Sequence, residues 1–194
     1  MHKLLSTIAC AALLAATLPA HALTLVSTTA NGNSVAATAN NAPLPTIAAN
    51  IGFNDFGAVS FVFELSAADA DGLAAFNAVV NNLTGRGIAA LELTMDKGTF
   101  ALVGAVTPSF GAVASVLGHT QRQRISFEPA EVLGVDLGDP FSAGQADWLF
   151  GFAGMQSGER FTLTVSAVPE PGGWALALAG ISVLAVLRRR RGAK

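Results

Sequence analysis

Three histidines are present, and two of them, His2 and His21, lie in the first 22 residues, so His119 stands alone in the body of the chain. A Ser–His–Asp triad would have to use it. No Gly-x-Ser-x-Gly elbow is present, however, and Gly118-His119-Thr120 reads as a loop. Zinc needs three or four nitrogen, sulfur or carboxylate ligands, which one histidine with no cysteine near it does not supply. Asp69-Ala70-Asp71-Gly72 opens like a calcium loop, but Leu73 occupies the fifth position and Val80 the twelfth, where a bidentate Glu belongs. Asp69 and Asp71, and with them Asp136 and Asp139, are thus candidate calcium ligands by oxygen chemistry alone. The plainer reading of Asp69 and Asp71 is a helix N-terminus, which favours negative charge. Glu64 and Glu92 fall on outward positions of expected strands, where a glycosidase would hold two carboxylates about 5–9 Å apart. No Glu-x-Asp-x-x-Glu strand motif accompanies them. Sugar sites use exposed aromatic platforms, yet tyrosine is absent and Trp148 lies between Asp147 and the apolar pair Leu149-Phe150. The residues therefore lead us to expect no enzyme, no cofactor and no metal centre.

The elements that would position these groups are mostly strands. The chain has 194 residues, 52% hydrophobic and only 12% charged, with a net charge of −2. Ordinary domains carry about a quarter charged residues, so charge-driven disorder is excluded. Nucleic-acid binding is excluded too, because four of the eleven basic residues sit in one run near the C-terminus. Apolar residues alternate at Phe61, Phe63 and Leu65, at Leu91, Leu93 and Met95, and at Phe161, Leu163 and Val165. Further strands are expected over 23–29, 100–106, 124–127, 131–137 and 148–152. Asp96-Lys97-Gly98 reads as a hairpin turn. Ser66-Ala67-Ala68-Asp69 resembles a capping box, and Leu73, Phe76, Val80 and Leu83 keep helical spacing, so one helix is expected over 67–83. Residues 30–50, with Pro43 and Pro45, read mostly as loop. The expected fold is mainly β, an antiparallel sandwich or jelly roll built on residues 23–167.

The two ends follow other rules. Met1-His2-Lys3, an apolar stretch and Pro19-Ala20-His21-Ala22 form a signal peptide over 1–22, with Ala20 and Ala22 at −3 and −1 of the cut. Cys10, the single cysteine, lies within it. Lipidation there would need a bulky aliphatic residue where Thr7 stands, so the exported chain is expected to carry no thiol and no disulfide. At the other end, Val168, Pro169, Glu170, Pro171 and two glycines precede an apolar run of 14 residues from Trp174 to Leu187. As a helix the run would measure about 21 Å, short of a usual span. The glycines and snorkelling arginines bring it closer to spanning. Trp174 suits an interfacial anchor, and Arg188, Arg189, Arg190 and Arg191 would hold their end in the cytoplasm. Two prolines around Glu170 can neither continue a helix nor donate to a sheet ladder, so that segment is expected to stay extended and accessible.

Pro169-Glu170-Pro171, the apolar helix beginning near a tryptophan and the arginine cluster together resemble the PEP-CTERM sorting signal of Gram-negative bacteria, here over 168–194. The resemblance implies recognition and processing by exosortase, an integral-membrane cysteine protease or transpeptidase of exopolysaccharide-producing bacteria. It implies Sec export, a transient stay in the inner membrane, then delivery to the cell surface or exopolysaccharide matrix. The catalytic residues of that reaction belong to exosortase. The middle of the chain is similar to the FxDxF-type subgroup through Gly52-Phe53-Asn54-Asp55-Phe56, with the second Phe one residue early and Gly57 in its place. Residues 23–167 carry twelve acidic and five basic side chains, a net of −7. That balance suits solubility and fits poorly with holding an anionic polysaccharide by charge.

Overall fold

The computed structural model describes residues 23–40 and 44–172. Thirteen strands among them form two sheets in a sandwich-like arrangement. Six strands make one sheet, in the order β1 (Thr24–Thr29), β4 (Val59–Glu64), β13 (Arg160–Pro169), β6 (Ile88–Met95), β10 (Arg122–Glu131) and β9 (Val113–His119). The second runs β2 (Ser34–Asn40), β3 (Thr46–Phe53), β5 (Leu73–Asn82), β11 (Gly134–Leu137) and β8 (Val106–Pro108). Its remaining strands are β12 (Trp148–Gly151), which pairs with the first half of β5, and β7 (Thr99–Leu102) beside it.

The alternating segments bury one face each, as period-two strands must. Phe61 and Phe63 of β4, Phe161 and Leu163 of β13, and Leu91 and Leu93 of β6 are almost wholly buried. They meet Ile47, Ile51, Phe76, Trp148 and Phe150 in one core cluster. Nine of the twelve phenylalanines are buried. Aromatic pairs join neighbouring strands within each sheet, with ring centres 5.3 Å apart for Phe63–Phe161 and 5.0 Å for Phe76–Phe150. Each fully buried Phe contributes about 1.5–3 kcal/mol by burial alone.

Several expectations are corrected. No helix forms over 67–83. The hydrogen bonds of the capping box do form, with Ser66 Oγ donating to Asp69 Oδ2 (2.6 Å) and Ala68 N–H to Ser66 Oγ (3.3 Å). They close a turn and not a helix, because Asp71 takes a left-handed φ of 57° and the chain leaves as β5. Strand β5 then pairs with β3 on one side and with β11 and β12 on the other, which outweighs helical propensity. Its buried face is Ala74, Phe76, Ala78 and Val80, a period of two.

Residues 30–50 are likewise mostly strand, as β2 and β3, with Pro45 just before β3. The parallel pairing of β3 with β5 makes their sheet mixed, not purely antiparallel. Asp96-Lys97-Gly98 turns tightly, with Gly98 at φ 75°, but its strands do not pair. It carries the chain from β6 in one sheet to β7 in the other. The strand expected over 100–106 is divided into β7 and β8, and that over 131–137 begins at the end of β10 and resumes as β11 in the opposite sheet.

Candidate functional site at the C-terminal exit

The register of the strands gathers one set of turns at one end of the sandwich. Pro169 ends β13 opposite Ile88, which begins β6, and Glu131 ends β10 opposite that same Ile88. Asn82 ends β5 beside Phe53, the last residue of β3. The connections 30–33, 54–58, 83–87, 109–112 and 132–133 therefore share this end with the departing C-terminal segment.

Val168 and Pro169 are still sheet. Val168 faces Ala90 and Pro169 faces Ile88, and the Glu170 N–H donates to the Gly87 carbonyl (2.9 Å). The extended strand thus runs into the first residues of the motif. Pro169, which has no N–H, sits where the register shifts, so the strand loses no donor there. Glu170 and Pro171 are exposed, and the last strand runs on to Pro169. Gly87 makes this close approach possible: a Cβ on it would come 2.8 Å from the Ala130 Cβ and 2.9 Å from Glu170 Oε2.

Around this exit, two buried polar side chains organise the turns. Glu131 is 1% exposed, and its carboxylate accepts four backbone N–H groups. Oε1 takes those of Leu133 (2.7 Å) and Gly134 (3.0 Å), and Oε2 those of Phe110 and Gly111 (both 2.9 Å). Burial pushes its carboxyl up, but the four donors outweigh that and hold it below the ordinary carboxylate range. Asn82 donates from Nδ2 to the carbonyls of Arg86 (2.7 Å) and Glu131 (3.0 Å), while its backbone N–H donates to the Leu133 carbonyl (2.8 Å). Arg86 lies over the Phe56 ring, 5.3 Å from its centre. Composition did not single out Glu131 or Asn82. The available signal was a lone acid inside the apolar stretch Ala130-Glu131-Val132-Leu133.

Comparison of the chain with protein-family models, with curated proteins and with solved structures finds no match. The remaining sites therefore rest on their own geometry.

Asp69 and Asp71 turn to different partners, Asp69 to the backbone N–H and Oγ of Ser66 and Asp71 to the Gly154 N–H (2.5 Å). Asp139 caps its own loop by accepting the N–H groups of Ala143, Gly144 and Gln145. Asp136 lies on β11, where burial pushes its carboxyl up. No group of three His, Cys, Asp or Glu residues is arranged to hold a metal among the described residues.

Glu64 pairs with Arg160 (2.8 Å), while Glu92 pairs with Arg122 (2.6 Å) and Arg124. Arg160 and Ser166 face these two glutamates along β13, six residues apart, or about 20 Å at the rise of a strand. They are not a glycosidase pair. Trp148 is fully buried and donates from Nε1 to the Ala105 carbonyl (3.0 Å), so it offers no platform to a sugar. His119 ends β9 at an exposed hairpin, facing Arg122. A shallow groove of about 250 Å³ crosses the outer face of β2, β3 and β5 between Thr38, Asn50 and Asn77. The signal-peptide residues, with Ala20 and Ala22, and the anchor residues Trp174, Leu187 and Arg188 to Arg191 lie outside the described residues. Among the described residues no helix is long and apolar enough to cross a membrane.

Proposed function

We propose that this chain is an exported surface or exopolysaccharide-matrix protein of a Gram-negative bacterium, anchored briefly in the inner membrane and processed there by exosortase. Its sandwich, of the jelly-roll kind, then serves a structural or interaction role and not a catalytic one. Strands that cross from sheet to sheet at most connections favour that architecture. One observation carries the functional reading: Pro169-Glu170-Pro171 leaves the last strand at an exposed corner and runs within three residues into Trp174, the apolar run and the four arginines. On this reading a signal peptide over 1–22 brings the chain to the Sec route. The apolar run spans or nearly spans the bilayer, and Glu170 and Pro171 present themselves to the enzyme at the membrane face. The last ladder bond, Glu170 to Gly87, makes Pro171 and the residues after it the reachable part. The mature chain is then expected to end at Pro171 or later. Intact-mass measurement on fractionated host cells, with and without a working exosortase, tests this. A full tail retained in the inner membrane under both conditions would refute it.

A carbohydrate-binding module is the second reading, favoured by the groove on β2, β3 and β5, whose mostly apolar, alanine-rich lining carries the hydroxyl of Thr38 and the amides of Asn50 and Asn77. It would act through Thr38, Asn50 and Asn77 and not through Trp148. A flat glycan array, or binding unchanged in Asn50→Ala with Asn77→Ala, would remove it.

A further inference from the structure

The exit end exposes more apolar surface than its turns need. Leu83 is 60% exposed, Phe110 58%, Leu133 59% and Val132 43%. All four lie in turns of this one end, on 83–87, 109–112 and 132–133. They form a common rim: Phe110 and Leu133 both donate their N–H to Glu131, and Asn82, next to Leu83, donates its N–H to the Leu133 carbonyl. Contiguous exposed apolar patches mark surfaces that something covers.

We propose that what covers this rim is the phospholipid surface itself, so that the anchored protein stands on the bilayer by its exit end. This rests on the anchor reading above. Only Gly172 and Gly173 separate Pro171 from Trp174, a reach of about 10 Å even when fully extended. The headgroup layer on one side of a bilayer is about 5–8 Å thick. With Trp174 at the interface, the link is too short to hold the sandwich more than a few ångströms beyond the headgroups, and the end nearest them is the one bearing Leu83, Phe110, Val132 and Leu133. Charge does not drive the contact. At this end Asp55, Glu128 and Glu170 outnumber Arg86, so the attraction comes from apolar side chains entering the headgroup layer and is the same for neutral lipids.

The test uses the full chain in phosphatidylcholine vesicles, in a Cys10→Ser background, with an environment-sensitive fluorophore on Phe110→Cys, Leu133→Cys or Phe141→Cys. Phe141 is as exposed as the rim but lies in the 138–147 connection at the opposite end. The expected result is blue-shifted emission at 110 and 133, quenched by shallow nitroxide-labelled lipid and unchanged by added salt, with neither effect at 141. Flotation of the same vesicles separates the two readings. Protein that floats but shows no lipid quenching at 110 and 133 overturns the rim contact and leaves the anchor standing. Blue-shifted emission without lipid quenching also overturns it, since a second copy or the chain's own tail would then cover the rim. Protein that does not float overturns the anchor and this proposal with it.

Discussion

Replacing Glu131 by glutamine tests how the exit end is held together. The carboxylate offers two oxygens, and each accepts two backbone N–H groups in a site closed to water. Glutamine keeps one oxygen, which can serve either the Leu133 and Gly134 pair or the Phe110 and Gly111 pair. Its NH2 must then face the other pair, donor against donor. Two buried N–H groups are left without an acceptor at about 1–3 kcal/mol each, so the expected loss is about 2–6 kcal/mol. That is a large part of the roughly 5–15 kcal/mol by which domains are stable. The assay is equilibrium urea unfolding of the full chain in mild detergent, followed by Trp148 fluorescence in a Trp174→Phe background. Acid gives a second handle. The native carboxyl is held below its ordinary value, so its stabilisation is fully present above the ordinary Glu range and is lost as pH falls through the native value. The gap between wild type and Glu131→Gln should therefore be widest near neutrality and shrink in acid. A variant within about 0.5 kcal/mol of wild type at pH 7, the range of a neutral surface change, would refute the reasoning, as would a gap that does not narrow on acidification.

Three other perturbations separate buried from surface effects. Trp148→Ala removes a fully buried ring packed edge-on against Phe100 and should cost about 3–5 kcal/mol in urea unfolding followed by circular dichroism; a loss below about 1 kcal/mol would show the ring is not core. Glu92 is pushed up by burial but held low by Arg124 and Arg122, whose side chains are about half exposed, so Glu92→Gln should cost under about 1 kcal/mol. That contribution is present above the ordinary carboxylate range, fades as pH falls through the lowered native value, and should shrink in high salt; a larger, salt-independent loss contradicts it. Gly87→Val forces a side chain against Ala130 and Glu170, and should cost about 1–3 kcal/mol and speed amide exchange at Glu170. Unchanged exchange there would mean the last ladder bond does not hold the exit.

Strands whose inward residues are large and outward residues polar were legible in the sequence. Phe61, Phe63, Leu163 and Val165 alternate with Val62, Thr162 and Thr164, and both strands form where they are expected. Strand β5 was not legible, because two of its four buried-face residues are alanines while Leu73 and Val79 on the other face are apolar. Large residues then remain at Leu73, Phe76, Val80 and Leu83, and that spacing imitates a helix. β2 and β3 were hidden in the same way by Ala, Asn and Thr, and only Ile47, Ile51 and Phe53 mark the buried face of β3. Sheet assignment was illegible for a different reason. A short turn such as Asp96-Lys97-Gly98 looks the same whether it returns a strand to its neighbour or passes it to the facing sheet; only pairing partners distant in sequence decide. The same holds for the exit: prolines argue against a ladder locally, but β6 accepts the strand up to the Glu170 N–H.

The apolar rim is not simply the by-product of loose turns. Flexible turns can fold large side chains back onto the domain, which hides apolar surface at little cost. Here that freedom is removed. Glu131 fixes the backbone at Phe110 and Gly111 on one turn and at Leu133 and Gly134 on the next, and Asn82 binds the third turn through the Arg86 carbonyl. Burying a carboxylate to hold Phe110 and Leu133 outward carries a desolvation cost, which the four donors offset only while the group is ionised. A domain with no use for an apolar rim gains nothing from that arrangement over polar turns of the same length. A domain seated on a bilayer gains a surface that stays in place when the anchor tilts. If that is the use, Glu131→Gln should weaken lipid quenching at 110 and 133 even where the sandwich remains folded, because the turns would be free to withdraw the side chains. Quenching unchanged in a folded Glu131→Gln protein would break the link between the buried carboxylate and the rim.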